Sequence, residues 1–321
     1  MTYAFDRELA PTIPMLPNPM LPNMGEADLP EVREEFLTMI DERMAEVDTT
    51  GVTAREELVP GPEGAPDVRV RIYTPDRIAA PGVIFDVHGG GFIIGNPHIN
   101  HASNVRFARE LGVKVVSVDY RLAPEARYPV GLEDCYAALV WTAKNAAELG
   151  VDPNRIAIYG CSAGGGLCAA LALLSRDRGG PAIAFQYLGV PELDDRLGTA
   201  SMQAFVDTPV WNRPNAEFSW DCYLGAGVRG SADVSIYAAP ARATDLTGLP
   251  PAYVSAMEFD PLRDEDIAYA QALIAAGVPT ELHVFPGAFH GSAMVEYAAV
   301  SKREITEAIA VLGRALGVEL T

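Results

Sequence analysis

A serine flanked by glycines has the setting best suited to nucleophilic chemistry in this sequence. Ser162 stands in the segment Gly160-Cys161-Ser162-Ala163-Gly164. Apolar residues from Arg155 to Tyr159 predict a strand before it, and an alanine- and leucine-rich stretch to about Arg176 predicts a helix after it. A serine at such a turn can act as a nucleophile, because glycines permit the sharp bend and the helix N-terminus offers amide N–H groups. The alternative is a glycine-rich turn with an N-capping serine. The pattern arises by chance in roughly one chain of this length in ten, so other residues must support it.

A nucleophilic serine needs a base, and five histidines are available to supply one. His290 lies in the segment 286–291, Pro-Gly-Ala-Phe-His-Gly, directly after the last predicted strand. A parallel sheet presents such a loop towards the serine turn. His283 falls inside a strand pattern and is predicted to be structural, whereas helix capping or pocket lining suits His98 and His101 better. We therefore predict His290 as the base.

An acid must orient that base, and Asp260 is the best placed carboxylate. It follows the strand predicted at 251–256, and the proline after it holds the loop away from helical geometry. Glu258 is its nearest rival. The chain order Ser162, Asp260, His290 is the order expected of α/β-hydrolases and differs from that of chymotrypsin and subtilisin.

Three consecutive glycines follow the strand predicted at 83–87 and complete the groups that acyl transfer requires. Gly89, Gly90 and Gly91 let the backbone approach a substrate and aim N–H groups at a developing oxyanion. A flexible turn or a phosphate-binding loop is the alternative. The sequence lacks the Gly-Lys-Ser/Thr of a phosphate loop, and no Gly-x-Gly-x-x-Gly follows a strand with a suitable acidic partner. The four groups together predict acyl transfer that needs no metal and no cofactor.

The elements that position these residues alternate between strand and helix. This alternation predicts the α/β class, with a mainly parallel sheet covered by helices on both faces. Besides the strand and helix around Ser162, helices are predicted at 31–46, 100–111, 131–149, 264–276 and 301–316, and strands at 56–60, 67–73, 83–87, 113–119, 182–188, 251–256 and 280–285.

The N-terminal residues depart from this pattern. Residues 1–30 contain six prolines and repeat Pro-Met-Leu-Pro-Asn, a proline density that predicts no helix and favours an extended path. This segment is either a surface arm or part of a lid whose Met-Leu pairs cover an apolar site. The pairs are Met15-Leu16 and Met20-Leu21. We expect residues 1–50, the arm and the following helix, to contribute to a cap.

A second departure from the alternation, at 191–250, predicts an insertion over the C-terminal edge of the sheet, where ligands bind to open parallel sheets. Ordinary core packing of its aromatic residues is the alternative interpretation. We predict a cap insertion at 191–240 and a catalytic domain made of 51–190 and 241–321. The candidate pocket residues are Phe92, Trp211 and Phe289.

Bulk properties exclude several classes of partner. The chain has 321 residues, 49% of them apolar, and a formal net charge of −19. This acidity argues against binding to nucleic acid or to an anionic membrane. No secretory signal and no run of eighteen apolar residues is present, so no membrane insertion is expected. Four cysteines without a metal-like pairing predict buried, reduced thiols and a cytoplasmic location.

With these parts assembled, the sequence resembles the hormone-sensitive-lipase-like family of α/β-hydrolases, the bacterial family IV esterases. The resemblance covers about residues 80–295. It rests on several motifs in order: His88-Gly89-Gly90-Gly91-Phe92, Asp119-Tyr120-Arg121-Leu122-Ala123-Pro124-Glu125, Tyr128-Pro129, Glu133-Asp134, Gly160-Cys161-Ser162-Ala163-Gly164-Gly165, Asp260-Pro261-Leu262 and His290-Gly291.

The resemblance implies an α/β-hydrolase fold with a helical cap and a triad of Ser162, Asp260 and His290. It also implies an oxyanion hole formed by three backbone N–H groups, those of Gly90, Gly91 and Ala163. His88 and the 119–134 segment would be structural supports. One departure is Cys161, where the family most often has Asp or Thr, and a thiol makes weaker hydrogen bonds to neighbouring loops.

The predicted function is hydrolysis of small-molecule carboxylic esters with short- to medium-chain acyl groups. The same triad could act on an amide, a lactone or a carbamate, and the scaffold could also support a lyase. A non-catalytic receptor is the alternative from another class, since the plant gibberellin receptors resemble this family but lack the catalytic histidine, which is present here as His290. Several family members dimerise through the sheet edge, so a homodimer is a further expectation of the resemblance alone.

Overall fold

The computed structural model describes residues 3–16 and 24–319, and within them a sheet of eight strands is flanked by helices. The strands are β1 (Val52–Val59), β2 (Val68–Pro75), β3 (Val83–Val87), β4 (Lys114–Asp119), β5 (Ile156–Cys161), β6 (Phe185–Gly189), β7 (Ala252–Phe259) and β8 (Thr280–Phe289). The helices are α1 (Leu29–Ala45), α2 (His101–Leu111), α3 (Val130–Lys144), α4 (Ala146–Leu149), α5 (Ala163–Arg178), α6 (Ala200–Ala204), α7 (Arg213–Leu224), α8 (Arg263–Ala275) and α9 (Ala299–Ala315).

The sheet is antiparallel only at one end. Its strand order is β1-β2-β4-β3-β5-β6-β7-β8, in which β1 pairs antiparallel with β2, and β2 with β4. The remaining pairs are parallel. The predicted α/β class with a mainly parallel sheet is therefore confirmed.

Helices cover the two faces of the sheet and form two apolar layers. On one face, α3, α5 and α8 pack against the sheet around side chains such as Leu139 and Leu171. On the other face, α2 and α9 pack around Phe107 and Leu312. All five residues of β3 are buried, as expected of a central strand with helices on both sides. Both layers together fix the strand ends from which the candidate site is built.

The last two strands are longer than their sequence patterns predict, and the extra residues reach the candidate site. β7 extends to Phe259 and β8 to Phe289, and these two residues are paired across the ladder after a register shift. The residues that follow them are Asp260 and His290. Pairing of the two strand ends therefore brings the predicted acid and base side by side.

Two helical predictions differ from the structure in detail. The single helix predicted at 131–149 is divided into α3 and α4 at Asn145, whose side-chain amide donates to the Trp141 carbonyl at 2.9 Å and competes with continuation of the helix. The proline-rich arm is not extended throughout, because residues Ala10–Met15 form a 3₁₀ helix. Pro11 is tolerated in the first turn, where the missing N–H has no intrahelical acceptor, whereas Pro14 lies inside the helix and removes one donor from it.

The described part of the arm lies against the end of β8. The backbone N–H of Asp6 donates to the Gly287 carbonyl at 2.9 Å. Leu9 is fully buried in a cluster that contains Phe289, and Leu16 packs at the edge of that cluster. Met15 is exposed. The second predicted lid pair, Met20-Leu21, lies outside the described residues.

The segment after β6 folds into α6, α7 and the 3₁₀ helix Pro240–Arg242 before β7 begins. Trp220 of α7 is fully buried in the apolar layer shared with α3 and α5. Aromatic residues of this segment thus pack in the core, as the alternative interpretation expects, and also lie at the candidate site. Over the residues that the structure describes, no helix combines the length and apolarity needed to cross a bilayer.

Candidate active site

Ser162 lies at the sharp turn between β5 and α5. Its φ of 58° and ψ of −128° are a strained combination for a residue other than glycine, and this strain is typical of a nucleophile held at a strand-to-helix turn. The Ser162 N–H donates to the Gly189 carbonyl at 2.8 Å, and the Ser162 carbonyl accepts from Gly166 at 3.0 Å and from Glu192 at 3.1 Å. These bonds to the end of β6 and to α5 hold the turn in place.

The glycines at the start of α5 let other strand ends approach the serine. A Cβ on Gly164 would lie 2.1 Å from the Val87 carbonyl oxygen at the end of β3. A Cβ on Gly166 would lie 2.1 Å from the Glu192 carbonyl oxygen. Both distances are far below van der Waals contact, so side chains here would push the neighbouring loops away.

A continuous hydrogen-bond chain joins the three residues predicted as a triad. The Nδ1 of His290 lies 2.7 Å from Oδ2 of Asp260, and its Nε2 lies 3.0 Å from Oγ of Ser162. An ionised carboxylate only accepts, so Nδ1 carries the proton and Nε2 is left to accept from the serine hydroxyl. Asp260 is fully buried and its Oδ1 accepts from the Leu262 N–H at 3.0 Å. This arrangement can remove a proton from Ser162 as its oxygen attacks.

The other histidines and the rival acid have different partners. His98 pairs with Asp41, His101 with Tyr73 and His283 with Glu307. Glu258 accepts from the backbone N–H of Gly287 at 2.6 Å, in the strand that leads to His290. Among the histidines, all of which lie in the described part of the chain, only His290 is hydrogen-bonded to Ser162, as the sequence interpretation expects.

The glycine loop after β3 lies directly above the serine. A Cβ on Gly89 would be 3.5 Å from the Cβ of Ser162. The Gly90 carbonyl accepts from two N–H groups, those of Ile93 and Ile94, each at 3.0 Å. The Gly91 carbonyl accepts from the Ser219 hydroxyl at 2.7 Å. Both carbonyls are therefore engaged. Three backbone N–H groups beside them have no acceptor within the described part of the chain, and these belong to Gly90, Gly91 and Ala163 at the N-terminus of α5.

His88 supports this loop from below. Its ring stacks on Tyr120 with 4.3 Å between the ring centroids, and its Nδ1 lies 2.7 Å from the Gly89 carbonyl. The Tyr120 hydroxyl donates to the His88 carbonyl at 3.0 Å. Burial lowers the pKa of His88 to about 4, so the ring is neutral at physiological pH and donates from Nδ1 to Gly89. His88 thus acts on the glycine loop, and within the described residues its hydrogen bonds go to Gly89 and Tyr120 and not to the triad.

The three aromatic residues predicted to line the pocket take different positions. Trp211 tilts over the His290 ring with 5.8 Å between centroids, and its Cη2 would lie 2.7 Å from a Cβ on Gly91. Phe92 stacks on Tyr223 with a centroid distance of 4.1 Å, and Phe289 packs fully buried. Trp211 is therefore the one of the three that contacts both the base and the glycine loop.

Sequence reasoning missed two polar residues beside the site, Glu192 and Ser219. Glu192 follows β6 and is fully buried, with its Oε1 3.3 Å from the Ser219 hydroxyl of α7. The signal that could have indicated Glu192 is an acidic residue in the short loop after an apolar strand, at the sheet edge where ligands bind. Nothing local to Ser219 marks it, because its contact with Gly91 joins residues 128 positions apart.

Cys161 points away from these groups. Its thiol donates to the Tyr159 hydroxyl at 3.4 Å and packs in the apolar layer beneath α2 and α9. Desolvation raises the pKa of Cys161 to about 12, so the thiolate is not formed at neutral pH.

Comparison with known proteins identifies the family of this chain. A family model described as the alpha/beta hydrolase fold matches residues 84–294. The carboxylesterase NlhH of Mycobacterium tuberculosis is 41% identical over 269 residues, which cover 81% of this chain and 82% of that protein. An arylesterase of Saccharolobus solfataricus is 35% identical over 67% of this chain and 69% of its own length.

Solved structures extend the similarity to the whole chain. A bacterial heroin esterase superposes with a TM-score of 0.93 at 52% identity, covering 98% of both chains. The esterase LipW from Mycobacterium marinum superposes with a TM-score of 0.87 at 36% identity, covering 97% of this chain and 96% of its own. The chain therefore belongs to the α/β-hydrolase fold family, in its hormone-sensitive-lipase-like branch.

Proposed function

We propose that the protein hydrolyses small carboxylic esters through an acyl-serine intermediate, with Ser162 as nucleophile, His290 as general base and Asp260 as the group that fixes the imidazole. The hydrogen-bond chain from Ser162 Oγ to His290 and on to Asp260 is the single observation that carries this proposal. The protein is a carboxylesterase, in agreement with the carboxylesterase and esterase names of its relatives.

The reaction follows from the positions of these groups. Ser162 Oγ attacks the acyl carbon while its proton moves to Nε2 of His290, and Asp260 stabilises the resulting imidazolium. The N–H groups proposed to hold the oxyanion are those of Gly90, Gly91 and Ala163, which point to no other acceptor within the described residues. The alcohol leaves with the proton from His290. A water molecule, activated by the same histidine, then releases the acid and restores Ser162.

We also propose that residues 1–50 and 191–240 form a cap over the catalytic domain made of 51–190 and 241–321. Each of the two proposed cap segments donates a hydrogen bond to the loop after β3, which supports this division. Arg33 of α1 donates to the Ile93 carbonyl at 2.7 Å, and Ser219 of α7 donates to the Gly91 carbonyl. Ser162 is only 8% exposed beneath these segments. Esters with short- to medium-chain acyl groups are the proposed substrates, and Phe92, Trp211 and Phe289 are the proposed pocket residues.

A cytoplasmic location is proposed on the support of the free thiols of Cys135, Cys161, Cys168 and Cys222. A homodimer stays a prediction of the family resemblance.

The proposed function is tested by replacing the nucleophile and by varying the substrate. Ser162→Ala is expected to abolish turnover of short aryl esters while circular dichroism and thermal unfolding stay those of a folded protein. A panel of aryl esters of rising acyl length, run beside one amide and one lactone, defines the preferred bond. An organophosphate should label wild-type Ser162 stoichiometrically. Appreciable ester hydrolysis by folded Ser162→Ala, or failure of the wild type to be labelled, would contradict the mechanism.

A further inference from the structure

A buried hydrogen-bond chain links a carboxyl group to the proposed oxyanion loop. The Ser219 hydroxyl donates to the Gly91 carbonyl at 2.7 Å and lies 3.3 Å from Oε1 of Glu192. Both Glu192 and Ser219 are fully buried. The second oxygen of Glu192, Oε2, has no hydrogen-bond partner among the described residues. The hydrogen-bond chain thus ends in a carboxyl group whose side chain has Ser219 as its single hydrogen-bond partner among the described residues.

The number of protons available in this hydrogen-bond chain determines which protonation state of Glu192 fits it. A serine hydroxyl has one proton, and Ser219 uses it at the shorter distance, towards Gly91. An ionised Glu192 would then face the lone pairs of Ser219 with no donor at either oxygen. A protonated Glu192 instead donates to Ser219, so that the chain runs Glu192 to Ser219 to Gly91 with each donor used.

The charges around Glu192 favour the same form. The ionisable groups that face it are Asp260 from the loop after β7, Glu265 from α8, Tyr223 from α7 and Tyr120 from the segment after β4. Burial raises the pKa of Glu192 to about 8 and the negative charge of Asp260 adds to this shift, whereas a Ser219 proton turned towards Oε1 instead of Gly91 would oppose it. Glu192 is therefore protonated at neutral pH and ionises as the pH rises above about 8.

The backbone of Glu192 joins this hydrogen-bond chain to the turn that carries Ser162. Its N–H donates to the carbonyl of Ser162 at 3.1 Å, and its carbonyl lies against Gly166 of the nucleophile helix. Gly91 has a φ of 56°, in a region where glycine moves freely, so its carbonyl needs an external partner to hold the loop. Glu192 thereby contacts the turn at Ser162 directly, and the glycine loop through Ser219 of α7.

We propose that protonated Glu192, acting through Ser219, is a positioning residue that holds the Gly91 carbonyl and so keeps the Gly90 and Gly91 N–H groups aimed at the oxyanion. This role rests on the proposed function, because it assigns to Glu192 the orientation of that oxyanion hole. Ionisation of Glu192 removes the proton that Ser219 accepts and attracts the Ser219 hydroxyl towards Oε1. The loop then loses its hold on Gly91, and kcat falls with rising pH.

The test compares three variants across pH 6 to 10 with a short aryl ester, after subtraction of spontaneous hydrolysis. Glu192→Met removes the donor at similar size and should lower kcat on the order of tenfold, less than the roughly 10²- to 10³-fold loss when a direct oxyanion donor is removed. Glu192→Gln restores a donor that cannot ionise, so it should recover most of this loss. It should also lack the fall in kcat that the wild type shows above about pH 8. Ser219→Ala should have a lowered kcat without the alkaline fall.

A control separates this effect from a general change of charge. Asp194 lies two residues away in the same loop and pairs with Arg196 at 2.7 Å, so Asp194→Asn should keep the wild-type pH profile. Should Glu192→Gln retain the wild-type fall at the same pH, or Ser219→Ala keep both the wild-type kcat and that fall, Glu192 has no positioning role. Ser219→Ala decides the matter if the Glu192 variants do not fold. Either result leaves the esterase assignment standing, whereas a wild type that hydrolyses no ester at any pH would refute the proposed function instead.

Discussion

Replacing Asp260 with asparagine is the sharpest test of the proposed triad, because it changes one hydrogen-bonding atom in a fully buried position. Asp260 uses both carboxylate oxygens: Oδ1 accepts from the Leu262 N–H at 3.0 Å, and Oδ2 accepts from His290 at 2.7 Å. In Asp260→Asn the amide oxygen can keep the bond to Leu262. The amide NH₂ then faces Nδ1 of His290.

Two donors cannot face each other, so His290 changes tautomer and carries its proton on Nε2. That nitrogen lies 3.0 Å from Ser162 Oγ and must accept the serine proton for the attack to occur. The loss of a correctly oriented base in a comparable triad lowers kcat by about 10⁴. This corresponds to about 5.4 kcal/mol of transition-state stabilisation, since each factor of ten is about 1.36 kcal/mol. KM should change little, because Asp260 is fully buried behind His290 and does not face the ester.

The assay is steady-state hydrolysis of an aryl acetate at neutral pH, with the rate of organophosphate labelling as a second readout of Ser162. Glu258→Gln is the matched control. Glu258 lies two residues before Asp260 but bonds the Gly287 N–H, so its replacement should mainly reduce stability and lower kcat by no more than about tenfold. If folded Asp260→Asn keeps kcat within about tenfold of the wild type, or if Glu258→Gln shows the larger loss, Asp260 does not orient the base.

Three further outcomes are expected. Trp211→Ala opens space beside His290 and Gly91, and each methylene of an acyl chain that enters this space gains about 0.8 kcal/mol. The ratio of kcat/KM for an octanoyl ester to kcat/KM for an acetyl ester should therefore rise at least about tenfold, and an unchanged ratio would show that Trp211 does not line the acyl pocket. Cys161→Ser should keep kcat within about threefold of the wild type, because the Cys161 thiol faces Tyr159 and its pKa is raised to about 12. For the same reason iodoacetamide should not inactivate the wild type, and rapid alkylation of Cys161 with loss of activity would contradict this. Because the folded-state pKa of Glu192 is about 8 against an ordinary value of 4.5, the wild type loses stability as the pH rises through that window. In urea denaturation, the difference in the free energy of unfolding between Glu192→Gln and the wild type should grow by about 1.4 kcal/mol per pH unit and level off above about pH 8. A difference that does not change with pH would argue against the raised pKa.

The sequence predicted the triad because its three members each follow a strand that local pattern identifies. Alternation and apolar runs locate β5, β7 and β8, and parallel strands must bring their carboxyl ends to one edge. The patterns ended too early, at 256 and 285, since Glu258 and the Pro286-Gly287 pair interrupt the apolar runs. Pairing between Phe259 and Phe289 overrides these local signals and carries both strands on to Asp260 and His290.

The features that the sequence did not predict depend on contacts between distant segments. A buried, protonated carboxyl group at Glu192 has no local signature, because an acidic residue after a strand is usually exposed. Its protonation depends on the packing of α7 and α8, which no pattern near residue 192 specifies. The break in strand–helix alternation at 191–250 predicted that this segment covers the sheet edge. It did not show that Ser219 and Trp211 would contact the glycine loop.

The hydrogen bond from Ser219 to Gly91 has a consequence for chimeric enzymes built from this family. A cap can be exchanged to change substrate range alone only if the catalytic domain by itself sets the rate. Here Ser219 of α7, in the proposed cap, donates to a carbonyl of the loop that is proposed to bind the oxyanion. We expect a transplanted cap without a hydroxyl at this position to alter turnover for every substrate, which would couple specificity to rate in this protein.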